Sequence, residues 1–146
     1  MLYFYGYRID RNCAKCPKTT AIVNKIPGMK TAVFSILSPK MHIPNHRGPY
    51  KGVLRYHLGL VIPEPANKCR IRVGDLVRHW KPGESMILDD TINHEVWNEC
   101  DSPRAILFID FMRELPWPVS WLNGVLFMTM RQSLFIKNVI NKLKIQ

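Results

Sequence analysis

Between Thr31 and Asp110 the chain breaks into seven short runs rich in Val, Ile and Leu, each bounded by Pro, Gly, Asn or Asp. They are Thr31–Leu37, Gly52–Ile62, Cys69–Val73, Leu76–Trp80, Ser85–Leu88, Glu95–Asn98 and Ala105–Asp110. Runs of this length and composition read as strands, and Lys81-Pro82-Gly83-Glu84 reads as a turn between two of them. Seven strands within about 80 residues leave little room for crossover helices, so a sandwich or jelly roll is expected. At 146 residues the chain can bury a full core as one domain without disulfide staples.

The flanks differ from this middle. Residues 13–28 carry a short helical signal: Pro17 suits a first turn, Ala21, Ile22, Val23 and Ile26 give an apolar face, and Pro27-Gly28 ends it. Beyond Arg113 the chain turns helical and basic. Ile136, Val139, Ile140 and Leu143 follow the i, i+3, i+4, i+7 spacing, while Lys137, Asn138, Asn141 and Lys142 point elsewhere. The expected division is therefore a β domain over residues 1–113 and an amphipathic helical tail over 114–146, packed on or beside it. Residues 117–146 hold Trp121, Leu122, Val125, Leu126 and Phe127 together with lysines, so two readings stand open: a helix packed on the barrel, or one lying on an anionic membrane.

Within the strand region, His46 and His94 are the candidate metal ligands. They stand 48 residues apart, too far for one local motif, but a β-barrel brings such distant strands together. Arg104 opens the last strand ten residues after His94, and a guanidinium suits a carboxylate bidentately. Two imidazoles on neighbouring strands plus this arginine suit an iron ion and a dicarboxylate held together. Arg55 and His57 alternate on one strand and so share a face. Burying both calls for an anion. Asp90, four residues before His94, is placed to orient its imidazole. His42 and His79 read as surface or turn residues.

These segments resemble a known family. Arg55-Tyr56-His57-Leu58-Gly59-Leu60-Val61-Ile62-Pro63, Gly83-Glu84, Asp89-Asp90-Thr91 and His94-Glu95-Val96-Trp97-Asn98 resemble the aspartyl/asparaginyl β-hydroxylases, Fe(II)- and 2-oxoglutarate-dependent dioxygenases. The resemblance spans roughly Cys16 to Arg113. His46-Arg47-Gly48-Pro49-Tyr50 and Cys16-Pro17-Lys18-Thr19 look most like the bacterial lipid A 2-hydroxylase branch. The resemblance implies an all-β core built as a double-stranded β-helix, a cupin-like jelly roll, flanked by a short N-terminal helix and the C-terminal helical tail. It implies that His46 and His94 bind iron, and that Arg55 and His57 face the 1-carboxylate end of 2-oxoglutarate. Ser35 and Arg104 would hold its 5-carboxylate, with Asp90 behind the metal ligands. It implies further that oxygen would be the co-substrate, that ascorbate would be supportive, and that an unactivated C–H of a lipid acyl chain or of a peptide Asp or Asn would receive the hydroxyl.

One position departs from the usual pattern. Iron oxygenases of this type commonly add a carboxylate two residues after the first histidine, and the lipid A branch carries Asp there, but this chain has Gly48. The vertebrate peptide hydroxylases also have Gly at this place and look like two-histidine enzymes. Two readings follow, a genuine two-histidine enzyme or a member with weakened metal binding. A non-catalytic cupin-like binding module is the rival from another class.

The net charge of +10 favours anionic partners, small anionic co-substrates included. Nucleic acid rests on charge alone, with no aromatic-basic interleaving, and is not expected. Cys13-Ala14-Lys15-Cys16 is a lone pair without a second at zinc-finger spacing, so reduced, inert thiols are expected. The N-terminus lacks the pattern of a signal peptide, and no apolar run reaches about 18 residues. The expected location is cytoplasmic, with peripheral contact at the inner membrane through residues 117–146.

Overall fold

Alternation in the strand region places every second side chain on one face, and two sheets built this way enclose the core. The computed structural model describes residues 1–145, with side chains described through Leu143; Gln146, at the end of the expected tail, lies outside the described residues. In chain order the elements are β1 (Tyr3–Phe4), β2 (Tyr7–Arg8), α1 (Asp10–Lys15), α2 (Pro17–Val23), β3 (Met29–Leu37), β4 (Met41–His46) and β5 (Val53–Val61). After a 3-10 turn (Ala66–Lys68) come β6 (Cys69–Val73), β7 (Leu76–His79), β8 (Ser85–Leu88), β9 (His94–Asn98), β10 (Arg104–Met112), α3 (Val119–Arg131) and α4 (Leu134–Ile145). The chain forms two compact units, one of residues Phe34–Ile109 and one of Met1–Val33 with Asp110–Gln146. The expected 1–113 and 114–146 partition divides the chain elsewhere, because α3 and α4 group with the first 33 residues.

The unit Phe34–Ile109 is the jelly roll. One sheet runs β4-β9-β6-β7 and is antiparallel throughout; strands β3, β10, β5 and β8 follow one another in the other. The core between them comprises Leu37, Ile62, Cys69, Ile71, Trp80, Leu88, Val96, Cys100 and Ile106. In β9 the pattern is strict: His94, Val96 and Asn98 are buried, while Glu95 and Trp97 are partly exposed. On the outer face Trp97 lies between the His42 ring, stacked at 5.2 Å, and the Arg70 guanidinium at 4.8 Å. Asn98, fully buried, places its Nδ2 within 3.1 Å of the carbonyl oxygens of Leu37, Ser38 and Ser102, and its Oδ1 accepts from the Cys100 amide. One side chain thus ties the end of β3 and the loop before β10 to β9. Gly59 is needed in β5 because a Cβ there would strike the Lys81 carbonyl of the tight turn.

The seven expected strands all form, with ends shifted by at most a few residues. Strand β4 was not foreseen. Its sequence, Met41-His42-Ile43-Pro44-Asn45-His46, lacks β-formers apart from Ile43, and Pro44 cannot donate to a ladder. It is accommodated because β4 is a sheet edge and carries a register shift between Ile43 and His46.

In the other unit, β2-β1-β3 form a small ribbon with Tyr3 opposite Ala32. The helix expected from Pro17 forms as α2, Pro17–Val23, and α1, Asp10–Lys15, precedes it. Cys16 sits between them at φ −131°, ψ 58°, because Pro17 disfavours the helical conformation for the residue before it. Chain reversal after α2 passes through Gly28 at φ +67°, a left-handed backbone. In α4, Ile136 and Ile140 are buried against Ile9, with Phe4, Tyr5, Tyr7 and Leu143 around them, and Lys137 and Lys142 face solvent. The spacing of apolar residues in α4 therefore marks its packed face correctly. All four cysteines are free; Cys13, Cys69 and Cys100 are buried, and burial pushes the Cys69 thiol up to about 11. No helix among the described residues is long and apolar enough to cross a membrane.

Candidate active site

The register of two neighbouring strands brings the histidines together. His46, ending β4, pairs with His94, opening β9, after the bulge that follows Ile43. Their ring centroids lie 4.2 Å apart with planes tilted by 54°. Each imidazole is held the same way: His46 Nδ1 lies 2.8 Å from the Pro44 carbonyl and His94 Nδ1 lies 2.9 Å from the Ile92 carbonyl. A carbonyl oxygen only accepts, so Nδ1–H is the donor in both rings, and in the neutral form of such a ring Nε2 keeps its lone pair. This is the tautomer a metal needs. His94 is buried, and desolvation, followed by the nearby His46 and Arg55 charges, lowers its pKa and keeps it neutral. His46 is exposed. Among the described residues no group of three or more His, Cys, Asp or Glu side chains is arranged to hold a metal, so the two histidines stand without a third side-chain ligand.

The histidines open on a cavity of about 130 Å³ between the sheets. Its apolar wall includes Ile71, Leu88, Val96, Ile106 and Phe108; its polar members are Ser35, His46, Arg55, His57, His94 and Arg104. Period-two alternation delivers them in sets: Arg55 and His57 from β5, His94 and Val96 from β9, and Arg104, Ile106 and Phe108 from β10. All six expected site residues of the metal and anion sets therefore line one cavity. Asp90 belongs to the loop that leads into β9. Asp89 shapes that loop by accepting from the Thr91 amide and hydroxyl, and the Asp90 carbonyl accepts from the Gly48 amide at 2.7 Å.

The electrostatics separate the two arginines. Arg55 stacks over Phe108 at 4.6 Å and meets Asp90 Oδ2 at 3.1 Å, so the anion that the Arg55–His57 face calls for is supplied in part by the chain itself. Arg104 is different. It is 2% exposed, lies over the Trp80 ring at 4.7 Å, and its Nε and Nη1 find no hydrogen-bond partner. No carboxylate raises its pKa; desolvation lowers it. Trp80 Nε1 and His57 Nδ1 are likewise buried without partners. His57 is pushed down to about 3 by burial first and then by Arg55, Arg104 and His94. Trp80 is the site residue that sequence reasoning missed. It ends an expected strand beside a turn, where a tryptophan reads as core, and only the fold puts its indole against Arg104.

Fold and site define a jelly-roll protein whose cavity combines paired, metal-ready imidazoles with a buried, uncompensated arginine. Residues 1–114 match the family model described as aspartyl/asparaginyl beta-hydroxylase, and the chain belongs to that family. It is 46% identical over 140 residues to the ornithine lipid ester-linked acyl 2-hydroxylase of Rhizobium tropici, covering 96% of this chain and 50% of that protein. It is 37% identical over 114 residues to the human aspartyl/asparaginyl beta-hydroxylase, covering 75% of this chain and 15% of that protein. The chain thus spans half the length of the first relative and a small part of the second. Among solved structures, the cupin domain of an XRE-family transcriptional regulator from Enterobacter cloacae matches with a TM-score of 0.48 at 11% identity, covering 60% of this chain and 84% of that one.

Proposed function

We propose that this chain is an Fe(II)- and 2-oxoglutarate-dependent hydroxylase acting on an acyl chain of a lipid. One observation carries the cofactor assignment: within one small cavity, two imidazoles with open Nε2 atoms stand 4.2 Å apart and Arg104 is buried without a counter-charge. The residues present fit both groups. Neutral imidazole suits ferrous iron, and the orphaned donors of Arg104 and Trp80 suit a carboxylate that enters with the co-substrate. Iron bound there with 2-oxoglutarate supplies the oxidising power to insert one oxygen atom of O2 into a C–H bond, with succinate and CO2 as co-products.

The chain's own residues do the rest. His46 and His94 hold the metal, each fixed by its backbone carbonyl. Arg104, with Ser35 and the Trp80 indole, anchors the distal carboxylate; Arg55 and His57 face the other end. The neutral His57 donates or accepts a hydrogen bond without adding charge beside the metal. Ile71, Leu88, Val96 and Ile106 keep water from the reacting centre.

The lipid assignment rests on the match to an acyl 2-hydroxylase across nearly the whole chain. That relative's ester-linked acyl group is a more specific guide than the lipid A acyl chain expected from the sequence, and we take an ester-linked acyl chain as the substrate. Peptide Asp or Asn is the second reading, favoured by Gly48 and by the human relative.

Anaerobic titration of the protein with Fe(II) and 2-oxoglutarate is expected to produce a metal-to-ligand charge-transfer band that His46→Ala and His94→Ala abolish. With O2 and ascorbate, succinate release is expected. Its absence with iron bound would leave a non-catalytic binding module. Lipid extracts of cells expressing the chain should contain acyl chains heavier by one oxygen atom; modified peptides without such lipids would move the assignment to the peptide reading.

A further inference from the structure

Helix α3 has its amphipathicity reversed. From Val119 to Met130 it contains no Asp, Glu, Lys or Arg. The face packed within its unit carries Asn123 and Phe127, both buried, with Phe127 stacked on Tyr5 at 5.7 Å. The solvent face carries Trp121, Leu122, Val125, Leu126 and Met128, with Trp121 63% and Leu126 58% exposed. A surface helix ordinarily turns its charged residues outward. Here the polar asparagine is inside and the apolar stripe is outside. In sequence the helix is flanked by further exposed apolar side chains, Trp117 at 83% before it and Leu134 and Phe135 at 78% and 71% after it. An exposed apolar face of this kind marks an interaction site.

Charge says what covers it. The unit that holds α3, residues 1–33 and 110–146, contains eleven Lys and Arg against three Asp and Glu; residues 34–109 contain ten against eight. Nearly all of the +10 net charge therefore resides in the unit that exposes the apolar stripe. Arg131 ends α3, and Lys137 and Lys142 stand exposed on α4. A second copy of the same strongly basic face would be repelled, whereas an anionic lipid surface satisfies both the charge and the apolar side chains. Thirteen residues of helix rise about 20 Å, too short to cross a bilayer, so the helix lies in the plane of the interface.

We propose that the apolar outer face of α3, with the basic residues of its own unit, docks this protein on an anionic lipid bilayer, with Trp121, Leu122, Val125 and Leu126 inserted. The proposal does not depend on the reaction assigned to the cavity, and its test requires neither iron nor turnover. The full chain is sedimented with vesicles of phosphatidylcholine alone and with vesicles in which part of that lipid is replaced by phosphatidylglycerol. Pelleting with the anionic vesicles, weakened by added salt, is expected, and Trp121→Glu with Val125→Glu should lower the partition by about tenfold or more. Both positions are exposed, and an unchanged circular dichroism spectrum of the double variant shows that the fold is intact. Three results would overturn the proposal: no pelleting with either vesicle, pelleting that the double variant leaves unchanged, or a stable dimer by light scattering that the double variant dissolves while the parent ignores vesicles.

Discussion

A Cβ built on Gly48 would lie 2.5 Å from Oδ2 of Asp90. The space that a side chain two residues after His46 would need is already filled by a carboxylate from the loop before β9, which is paired with Arg55. The absence of a third ligand at position 48 is thus one side of a packing arrangement whose other side is Asp90.

Gly48→Asp is accordingly expected not to create a working carboxylate ligand. Two acidic groups would compete for one site, and overpacking of this kind costs about 1–3 kcal/mol. The variant should melt at lower temperature and bind Fe(II) no more tightly than the parent, as read by calorimetry and metal titration. Combining it with Asp90→Ala relieves the clash, so the double variant should be less destabilised than the sum of the singles. Strict additivity would show that Gly48 and Asp90 do not share this space.

Arg104 yields a prediction of opposite signs. A buried guanidinium without a counter-charge costs stability in the ligand-free protein, and an apolar residue of similar length removes that cost. Arg104→Met should therefore hold or raise the thermal midpoint in the absence of 2-oxoglutarate. The same change removes a charge-assisted contact of about 1.5–3 kcal/mol, so the KM for 2-oxoglutarate should rise by roughly 10–150-fold in a succinate-release assay. A fall in midpoint with an unchanged KM would assign Arg104 to the core instead.

Much of the site was legible in the sequence because strands impose a period of two. Arg55 with His57, and Arg104 with the apolar residues after it, declare a shared face without knowledge of the fold. The two histidines were recognisable as candidates that a barrel would bring together, but the strand carrying His46 was not, because β4 is an edge strand built around Pro44 from residues that do not favour strands. At the N-terminal side Pro17 was legible as the start of α2, whereas α1 was not, because Asp10–Lys15 offers only Cys13 and Ala14 as apolar residues. Tertiary placement alone reveals Trp80 under Arg104 and Asp90 beside Gly48.

His57 makes stability depend on pH. Burial holds its folded pKa down to about 3 from an ordinary 6.5, so as pH falls the unfolded chain takes up the proton first. Above pH 6.5 neither state is protonated there and nothing is lost. Between 6.5 and about 3 this group withdraws up to about 1.4 kcal/mol of stability per pH unit. His94, also lowered by burial, acts in the same direction. Urea midpoints measured from pH 7.5 downward should fall more steeply for the parent than for His57→Phe, and parallel curves would mean that His57 is not held neutral.

Asn98 tests whether the architecture or the chemistry is responsible for its place in the motif from His94. It is wholly buried, four residues from a metal-ligand candidate, but every partner of its amide is backbone: Leu37, Ser38, Ser102 and Cys100. Nothing in its contacts reaches the cavity. Asn98→Leu keeps the branched shape and the number of side-chain heavy atoms but leaves those buried groups without partners, at about 1–3 kcal/mol for each one orphaned. Its unfolding midpoint should drop by several degrees or more, while the protein that remains folded binds Fe(II) and 2-oxoglutarate with parental affinity. Loss of ligand binding at an unchanged midpoint would reverse the assignment and draw Asn98 into the site; the geometry places it in the frame that sets the strands on which His94 and Arg104 stand.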